Sequence, residues 1–83
     1  MEETPNFGWA LSNLNEGKKL CRRGWNGKDM YIELQVPDEH SKMSLPYIYM
    51  VYPPQSKAYP EGAMVPWLAS QTDLLSEDWK IVG

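Results

Sequence analysis

The chain has 83 residues, enough for one domain, and its net charge of −3 argues against binding of a DNA or RNA polymer. No apolar run approaches the ~20 residues needed to cross a bilayer, and the first five residues lack the basic and apolar regions of a signal peptide. The lone cysteine, Cys21, cannot form an internal disulfide and fits a reducing compartment. We expect a single domain over residues 1–83, inside a cell and away from membranes.

Aromatic side chains are abundant for so short a chain, with four Trp, five Tyr and one Phe. A domain of this size buries only somewhat more than ~60% of the surface of its unfolded chain, so its core cannot enclose all of these rings. Small domains without disulfides or metals often gain stability by oligomerising. We therefore expect some rings to lie in a subunit interface or a ligand pocket.

The N-terminal segment predicts a short helix from Phe7 to about Asn15, with Asn6 as its N-cap and Gly17 in the C′ position after its end. The spacing of the apolar residues predicts one buried stripe along this helix. That stripe consists of Phe7, Ala10, Leu11 and Leu14.

A β-hairpin is predicted next, because Asn26-Gly27 is a strong signal for a two-residue turn. The flanking strands are expected over Lys18–Trp25 and Lys28–Val36. This turn sets the register, so that Trp25 lies opposite Lys28 and Cys21 lies opposite Ile32.

That register assigns neighbouring arginines to opposite faces of the hairpin. Arg23 and Trp25 share the face of Cys21, which is predicted to be a buried small hydrophobe there. Arg22 lies on the other face, where it is expected to pair with Glu33 or to stack on Tyr31.

The remaining segments complete an antiparallel sheet. Strands are predicted at Tyr47–Tyr52, at Ala63–Trp67 and at Trp79–Val82. The first is expected to be central or covered on both faces, and Pro66 restricts the second to an edge, an end or a bulge. Between the last two, Ser70 or Thr72 is expected to cap a one-turn helix over residues 73–77. The fold class is therefore α+β, with a short N-terminal helix packed on an antiparallel sheet of about five strands and a one-turn helix before the last strand.

Residues suited to catalysis are scarce. His40 lies in a polar loop without a nucleophile nearby, and Glu77 and Asp78 are adjacent, so they do not share a helical face. Asp73 is equally well explained as a helix cap. We expect no catalytic residues, no metal site, no cofactor and no enzymatic activity.

Two segments that combine aromatic and polar side chains instead suggest a binding site. A nucleotide needs a flat surface for its base, a donor such as arginine for its phosphates, and amide or carboxylate groups for its riboses. The candidate ligand-binding residues are Arg23, Trp25, Asn26, Trp67, Gln71, Thr72 and Asp73.

Folding alone offers another interpretation of the same residues. Trp67 and Trp79 are then core rings, Asn26 forms a turn, and Gln71 and Asp73 cap a helix. Of these, Trp79 alternates with Ile81 as a core residue would. Trp25 lies beside an arginine and a turn, which favours binding.

Four segments of the chain resemble a phage and bacterial family. They are Phe7-Gly8, Arg23-Gly24-Trp25-Asn26-Gly27, Pro46-Tyr47-Ile48-Tyr49-Met50, and Val65-Pro66-Trp67 through Asp78-Trp79. Together they resemble the Thoeris anti-defence two family, formerly a domain of unknown function, over residues 6–82. The last of the four is long and specific.

The resemblance implies a small phage protein that blocks Thoeris immunity by sequestering a cyclic ADP-ribose isomer without cleaving it. It also implies a homo-oligomer, a tetramer, with ligand pockets between subunits, and for some members a separate site for cyclic dinucleotides. The expected location is the cytoplasm of the bacterial host cell. On this basis Trp25 or Trp67 stacks on the base and Arg23 contacts phosphate. The rival functions are a module that docks a host or phage protein and a cyclic-nucleotide hydrolase.

Overall fold

The computed structural model describes residues 4–25, 29–54 and 59–83. Its elements are α1 (Phe7–Asn15), β1 (Lys19–Arg22), β2 (Tyr31–Gln35), β3 (Tyr47–Tyr52), β4 (Ala63–Pro66), α2 (Gln71–Leu75) and β5 (Trp79–Val82). The strands form one antiparallel sheet in the order β4-β3-β2-β1-β5, and α1 packs on β1 and β5. The predicted α+β fold is confirmed.

Helix α1 begins and ends as the sequence indicates. The Asn6 side chain accepts a hydrogen bond from the backbone N–H of Trp9 at 2.9 Å, and Gly17 has the positive φ of 87° expected after a helix C-cap. Ala10 and Leu14 are fully buried against the sheet. The prediction for Leu11 is wrong, because it is exposed and the buried position beside them is occupied by Asn13.

The hairpin register differs from the prediction by one residue. Leu20, not Cys21, pairs with Ile32. Strand β1 ends at Arg22 because the chain turns there, with the backbone N–H of Trp25 donating to the Arg22 carbonyl at 3.2 Å. The Asn26-Gly27 turn, with Lys28, lies outside the described residues.

A shift of one residue moves every side chain of the strand to the other face. Leu20, Ile32 and Met50 therefore line the buried face of the sheet, together with Trp79. Cys21 lies on the opposite, partly exposed face, so the prediction that it is a buried hydrophobe is wrong. Arg22 shares the buried face with Leu20 and pairs with Trp79 on β5.

Other boundaries agree with the sequence or differ slightly. Strands β3 and β5 match their predicted ranges, β3 is interior, and β4 is an edge strand that ends at Pro66. Helix α2 begins two residues earlier than predicted, with Ser70 as its N-cap. Over the described residues, neither helix has the length and apolar character to traverse a membrane.

Candidate functional site

Arg22 is held between two carboxylates at the end of β1. Its Nη1 donates to Asp73 Oδ1 at 2.9 Å, and its Nε donates to Asp78 Oδ1 at 2.8 Å. The side chains of Arg22 and Asp73 are only 14% and 13% exposed. We call Arg22, Asp73 and Asp78 the Arg22 cluster. Its three charges sum to −1.

The turn that follows β1 is attached to this cluster at two points. The indole Nε1 of Trp25 donates to Asp73 Oδ1 at 3.1 Å, and the backbone N–H of Gly24 donates to Asp78 Oδ2 at 3.0 Å. A Cβ atom on Gly24 would lie 3.1 Å from Asp78 Oδ2 and 3.2 Å from Arg22 Nη2. A larger residue at this position would therefore be crowded, and the ends of these two side chains would have to shift by a few tenths of an ångström.

Hydrogen bonds set the charge state of both carboxylates. Burial of Asp73 opposes its ionisation, but hydrogen bonds from Arg22, Trp25 and Ser70 outweigh this, so the pKa of Asp73 lies below its usual value. The hydrogen bond from Arg22 is the main cause of the lowered pKa of Asp78. Both side chains are therefore negatively charged at neutral pH.

Four aromatic rings form a connected row behind the cluster. Trp79 is buried at its centre, as the core interpretation predicted, and its Nε1 donates to the Asp73 carbonyl at 3.1 Å. Trp25 contacts one side of it at a centroid distance of 5.4 Å and Trp67 another at 6.0 Å, both edge to face. Phe7 packs on Trp67 and Trp79. Trp25 and Trp67 thus both contact Trp79, but they line different surface cavities.

Beside Trp25 is a solvent-accessible cavity of about 420 Å³, which we call the Arg23 cavity. Its volume is within the range of ~300–1,000 Å³ typical of small-molecule sites. Its lining consists of Cys21, Arg22, Arg23, Trp25, Asp29, Met30, Lys80, Ile81, Val82 and Gly83.

The charges in the Arg23 cavity are mainly positive and uncompensated. The side chains of Arg23 and Lys80 form no ion pair with any described residue, whereas the charge of Arg22 is already neutralised by two carboxylates. Asp29 is the one acidic residue among the lining residues. An anion entering the cavity would meet two free cations and the side of an indole.

Trp67 lines a different, apolar groove of about 520 Å³. Phe7, Leu34 and Leu74 are among its walls, and neither Arg23 nor Trp25 contributes to it. The described residues that line it include no lysine or arginine to bind the phosphates of a nucleotide.

The structure separates the sequence-predicted residues into four groups. Arg23 and Trp25 line one cavity, and Asp73 supports Trp25 from behind. Trp67 lies in the apolar groove. Gln71 and Thr72 are exposed in the first turn of α2 and line neither cavity, while Asn26 lies outside the described residues.

Two features of the site were missed. Arg22 neither pairs with Glu33 nor stacks on Tyr31, because the observed register places it on the buried face with Leu20. On the opposite face, Glu33 accepts from the Tyr49 hydroxyl at 2.8 Å and Lys19 lies over the Tyr31 ring. Lys80 reaches the cavity because it pairs with Cys21 across β1 and β5. The sequence predicts a strand at Trp79–Val82, but no local signal in that segment indicates that it pairs with β1.

No catalytic arrangement is evident in the described part of the chain. His40 is highly exposed and its nearest charged neighbour is Glu39, with Nε2 and Oε1 3.5 Å apart. Burial raises the pKa of the Cys21 thiol, which reduces its nucleophilic thiolate form. Residues 4–25, 29–54 and 59–83 contain no group of three His, Cys, Asp or Glu side chains suited to a metal ion.

Comparison with known proteins finds similarity along almost the whole chain. Residues 5–82 match the model of the Thoeris anti-defense 2-like domain. A protein of Bacillus phage SP01 named Thoeris anti-defense 2 is 33% identical over 89 aligned positions, which cover all of this chain and all of that protein.

Proposed function

The chain belongs to the Thoeris anti-defence 2-like family, and from this we propose that it binds a cyclic nucleotide immune signal and sequesters it without cleavage. Family membership supports a phage anti-defence role. The ligand class we propose is a cyclic ADP-ribose isomer, with cyclic dinucleotides as further candidates. The site of action is the cytoplasm of the bacterial host cell.

The observation that carries this proposal is the pair of free cations beside an indole in the Arg23 cavity. A cyclised ADP-ribose has a pyrophosphate with a charge of about −2, so two cations match it. Arginine binds phosphate oxygens through a bidentate fork and lysine as a point charge. Stacking of adenine on an indole contributes ~1–3 kcal/mol. Arg23 and Lys80 therefore bind the pyrophosphate, and Trp25 contacts the base.

The remaining predicted ligand contacts require a second subunit. Gln71 and Thr72 are exposed and lie outside the Arg23 cavity of their own chain. They reach the ligand if a neighbouring protomer presents its α2 to the cavity. A homo-oligomer, which we propose to be a tetramer, would also enclose a ligand that an open cleft of about 420 Å³ covers only in part.

Sequestration rather than hydrolysis fits the chemistry of the cavity. Hydrolysis of a glycosidic or phosphate bond needs a general base or a metal-activated water beside the scissile bond. Among the described residues that line the Arg23 cavity, Asp29 is the one acid, and the carboxylates of Asp73 and Asp78 are bound to Arg22. A cavity of this kind binds an anion and offers little to activate water.

Calorimetric titration with cyclic ADP-ribose isomers and cyclic dinucleotides tests the proposal. Arg23→Glu should abolish binding, because loss of a charged hydrogen bond and addition of a repulsive charge act together. Lys42→Glu, which changes the charge of an exposed loop by the same amount, should bind normally. Intact ligand should be recovered after the complex is heated, and a cleaved product would refute sequestration. Native mass spectrometry gives the number of subunits and of bound ligands.

An exposed apolar surface favours one other function, docking of a host or phage protein. Leu68 and Leu75 are 92% and 79% exposed, and Leu45 is similarly accessible. Large apolar side chains with this degree of exposure are available to anchor a contact with another protein. If docking is the function, Leu68→Ser with Leu75→Ser abolishes anti-defence activity while Arg23→Glu preserves it. The opposite pattern supports sequestration.

A further inference from the structure

We propose that Arg22 is a positioning residue that holds the Arg23-Gly24-Trp25 turn in its binding geometry without contacting the ligand. This inference rests on the proposed function. It concerns an arginine that neighbours the predicted phosphate contact and lines the same cavity, but whose Nε and Nη1 donors are bonded to carboxylates.

The guanidinium of Arg22 connects three separate parts of the fold. Arg22 is the last residue of β1, Asp73 lies in the first turn of α2, and Asp78 immediately precedes β5. The same two carboxylates accept from the Trp25 indole and from the Gly24 amide. Strand end, turn and helix are therefore fixed by one set of hydrogen bonds.

Charge argues against direct contact between Arg22 and an anion. Its Nε and Nη1 atoms are occupied by carboxylates at 2.8 and 2.9 Å, and Nη2 is 3.4 Å from Asp78 Oδ2. With two acids around one base, the cluster has a net charge of −1 and repels phosphate. The attraction must come from Arg23 and Lys80, the two cations in the lining of the cavity that form no ion pair with a described residue.

A positioning role has a quantitative consequence. If a variant holds the turn in its binding geometry for only a tenth of the time, the apparent affinity falls about tenfold. The electrostatic attraction between cavity and ligand stays the same. Loss of affinity with an unchanged salt dependence therefore distinguishes a positioning residue from a ligand contact.

The central variant is Arg22→Lys, which keeps the charge but cannot reach two carboxylates with a planar fork. Gly24→Ala is the second variant, because it crowds Arg22 and Asp78 while all charges are retained. Arg23→Gln serves as the ligand-contact comparison, and Lys42→Gln as the charge control. The probe is a cyclic ADP-ribose isomer, titrated over a range of salt concentrations.

We expect Arg22→Lys and Gly24→Ala to bind about tenfold or more weakly, with the wild-type slope of affinity against salt. Arg23→Gln should weaken binding and flatten that slope. Exchange of the Trp25 indole proton, followed by NMR, should accelerate in the two Arg22-cluster variants, because its bond to Asp73 is loosened. Lys42→Gln should match the wild type in every measurement.

Several results would overturn the inference. Wild-type affinity in both Arg22→Lys and Gly24→Ala would show that the Arg22 cluster does not affect ligand binding. A flattened salt slope in Arg22→Lys would show that Arg22 contacts the ligand. Failure of the wild-type protein to bind any cyclic ADP-ribose isomer or cyclic dinucleotide would refute the proposed function itself, and this inference with it.

Discussion

The Arg22 cluster and the Arg23 cavity adjoin the same turn and share Arg22 and Trp25, yet their electrostatics are opposite. In the cluster, every charge has a partner at hydrogen-bond distance and the side chains are largely buried. In the cavity, Arg23 and Lys80 have no acidic partner among the described residues. Adjacent arginines therefore differ in their surroundings, because Arg22 is bound by two carboxylates and Arg23 has no ion-pair partner among the described residues.

Breaking the cluster should have the largest effect on stability. Asp73→Ala removes the acceptor for Arg22 and Trp25 and also the capping box of α2 with Ser70. Arg22 keeps Asp78 as a partner, so the loss is that of a charged hydrogen bond, about 1.5–3 kcal/mol, and of helix capping, about 1 kcal/mol. This is a large fraction of a total stability on the order of 4–12 kcal/mol. Urea denaturation measures the loss.

The matched control for this variant is Glu77→Ala, an exposed acid that follows α2. Surface substitutions of this kind change the free energy of unfolding by less than about 0.5 kcal/mol. Equal effects of Asp73→Ala and Glu77→Ala would contradict the view that the cluster stabilises the fold.

Loss of the second carboxylate should cost less and should also change the response to acid. Asp78→Asn weakens charged hydrogen bonds with Arg22 and Gly24 that are worth about 1–2 kcal/mol, and this side chain is more exposed than Asp73. The pKa of Asp78 is lowered in the folded protein. Its contribution is therefore complete above the unfolded pKa of ~3.9 and disappears as the pH falls through the lower folded value.

Urea midpoints measured between neutral pH and strongly acidic pH test this sign. The wild type should lose stability below about pH 4 more steeply than Asp78→Asn, because the variant has one fewer carboxylate to protonate. Parallel curves for the two proteins would contradict the assignment of Asp78 to the cluster.

Trp25→Phe should have a smaller effect on stability. Phenylalanine keeps a ring against Trp79 but loses the Nε1 donor to Asp73, which is worth about 1 kcal/mol. Thermal unfolding measures this difference. The same variant should also bind the ligand more weakly, because Trp25 belongs both to the cluster and to the wall of the cavity. An unchanged affinity would assign Trp25 to folding alone.

The elements that the sequence predicts well are those with local signals. Asn6 and Gly17 mark the ends of α1, Pro66 restricts β4 to an edge, an end or a bulge, and Ser70 is one of the two caps expected for α2. Each of these residues acts on its own backbone or on that of its near neighbours. These local signals delimit most of the helices and strands, and the order of the elements along the chain indicates the α+β fold.

The site depends on contacts that local signals do not contain. The assumption of a two-residue turn at Asn26-Gly27 placed the hairpin out of register by one residue, which exchanged the faces of Arg22 and Cys21. The partnership of Arg22 with Asp78 joins positions that are 56 residues apart. Arg23 and Trp25 nevertheless line the same cavity, as expected, because they are two positions apart in the turn after β1.

The smallest effect on stability should come from the residue most important for the proposed function. Arg23→Gln removes a charge that no described residue neutralises, so the free energy of unfolding should change by less than about 0.5 kcal/mol. Removal of a cation beside Lys80 relieves repulsion, which offsets the small loss of packing. Urea denaturation of this variant and of Asp73→Ala, at the same pH and salt, compares cavity and cluster directly. A loss of more than about 1 kcal/mol for Arg23→Gln would mean that Arg23 also has a structural partner, and the division of roles between the two arginines would be wrong.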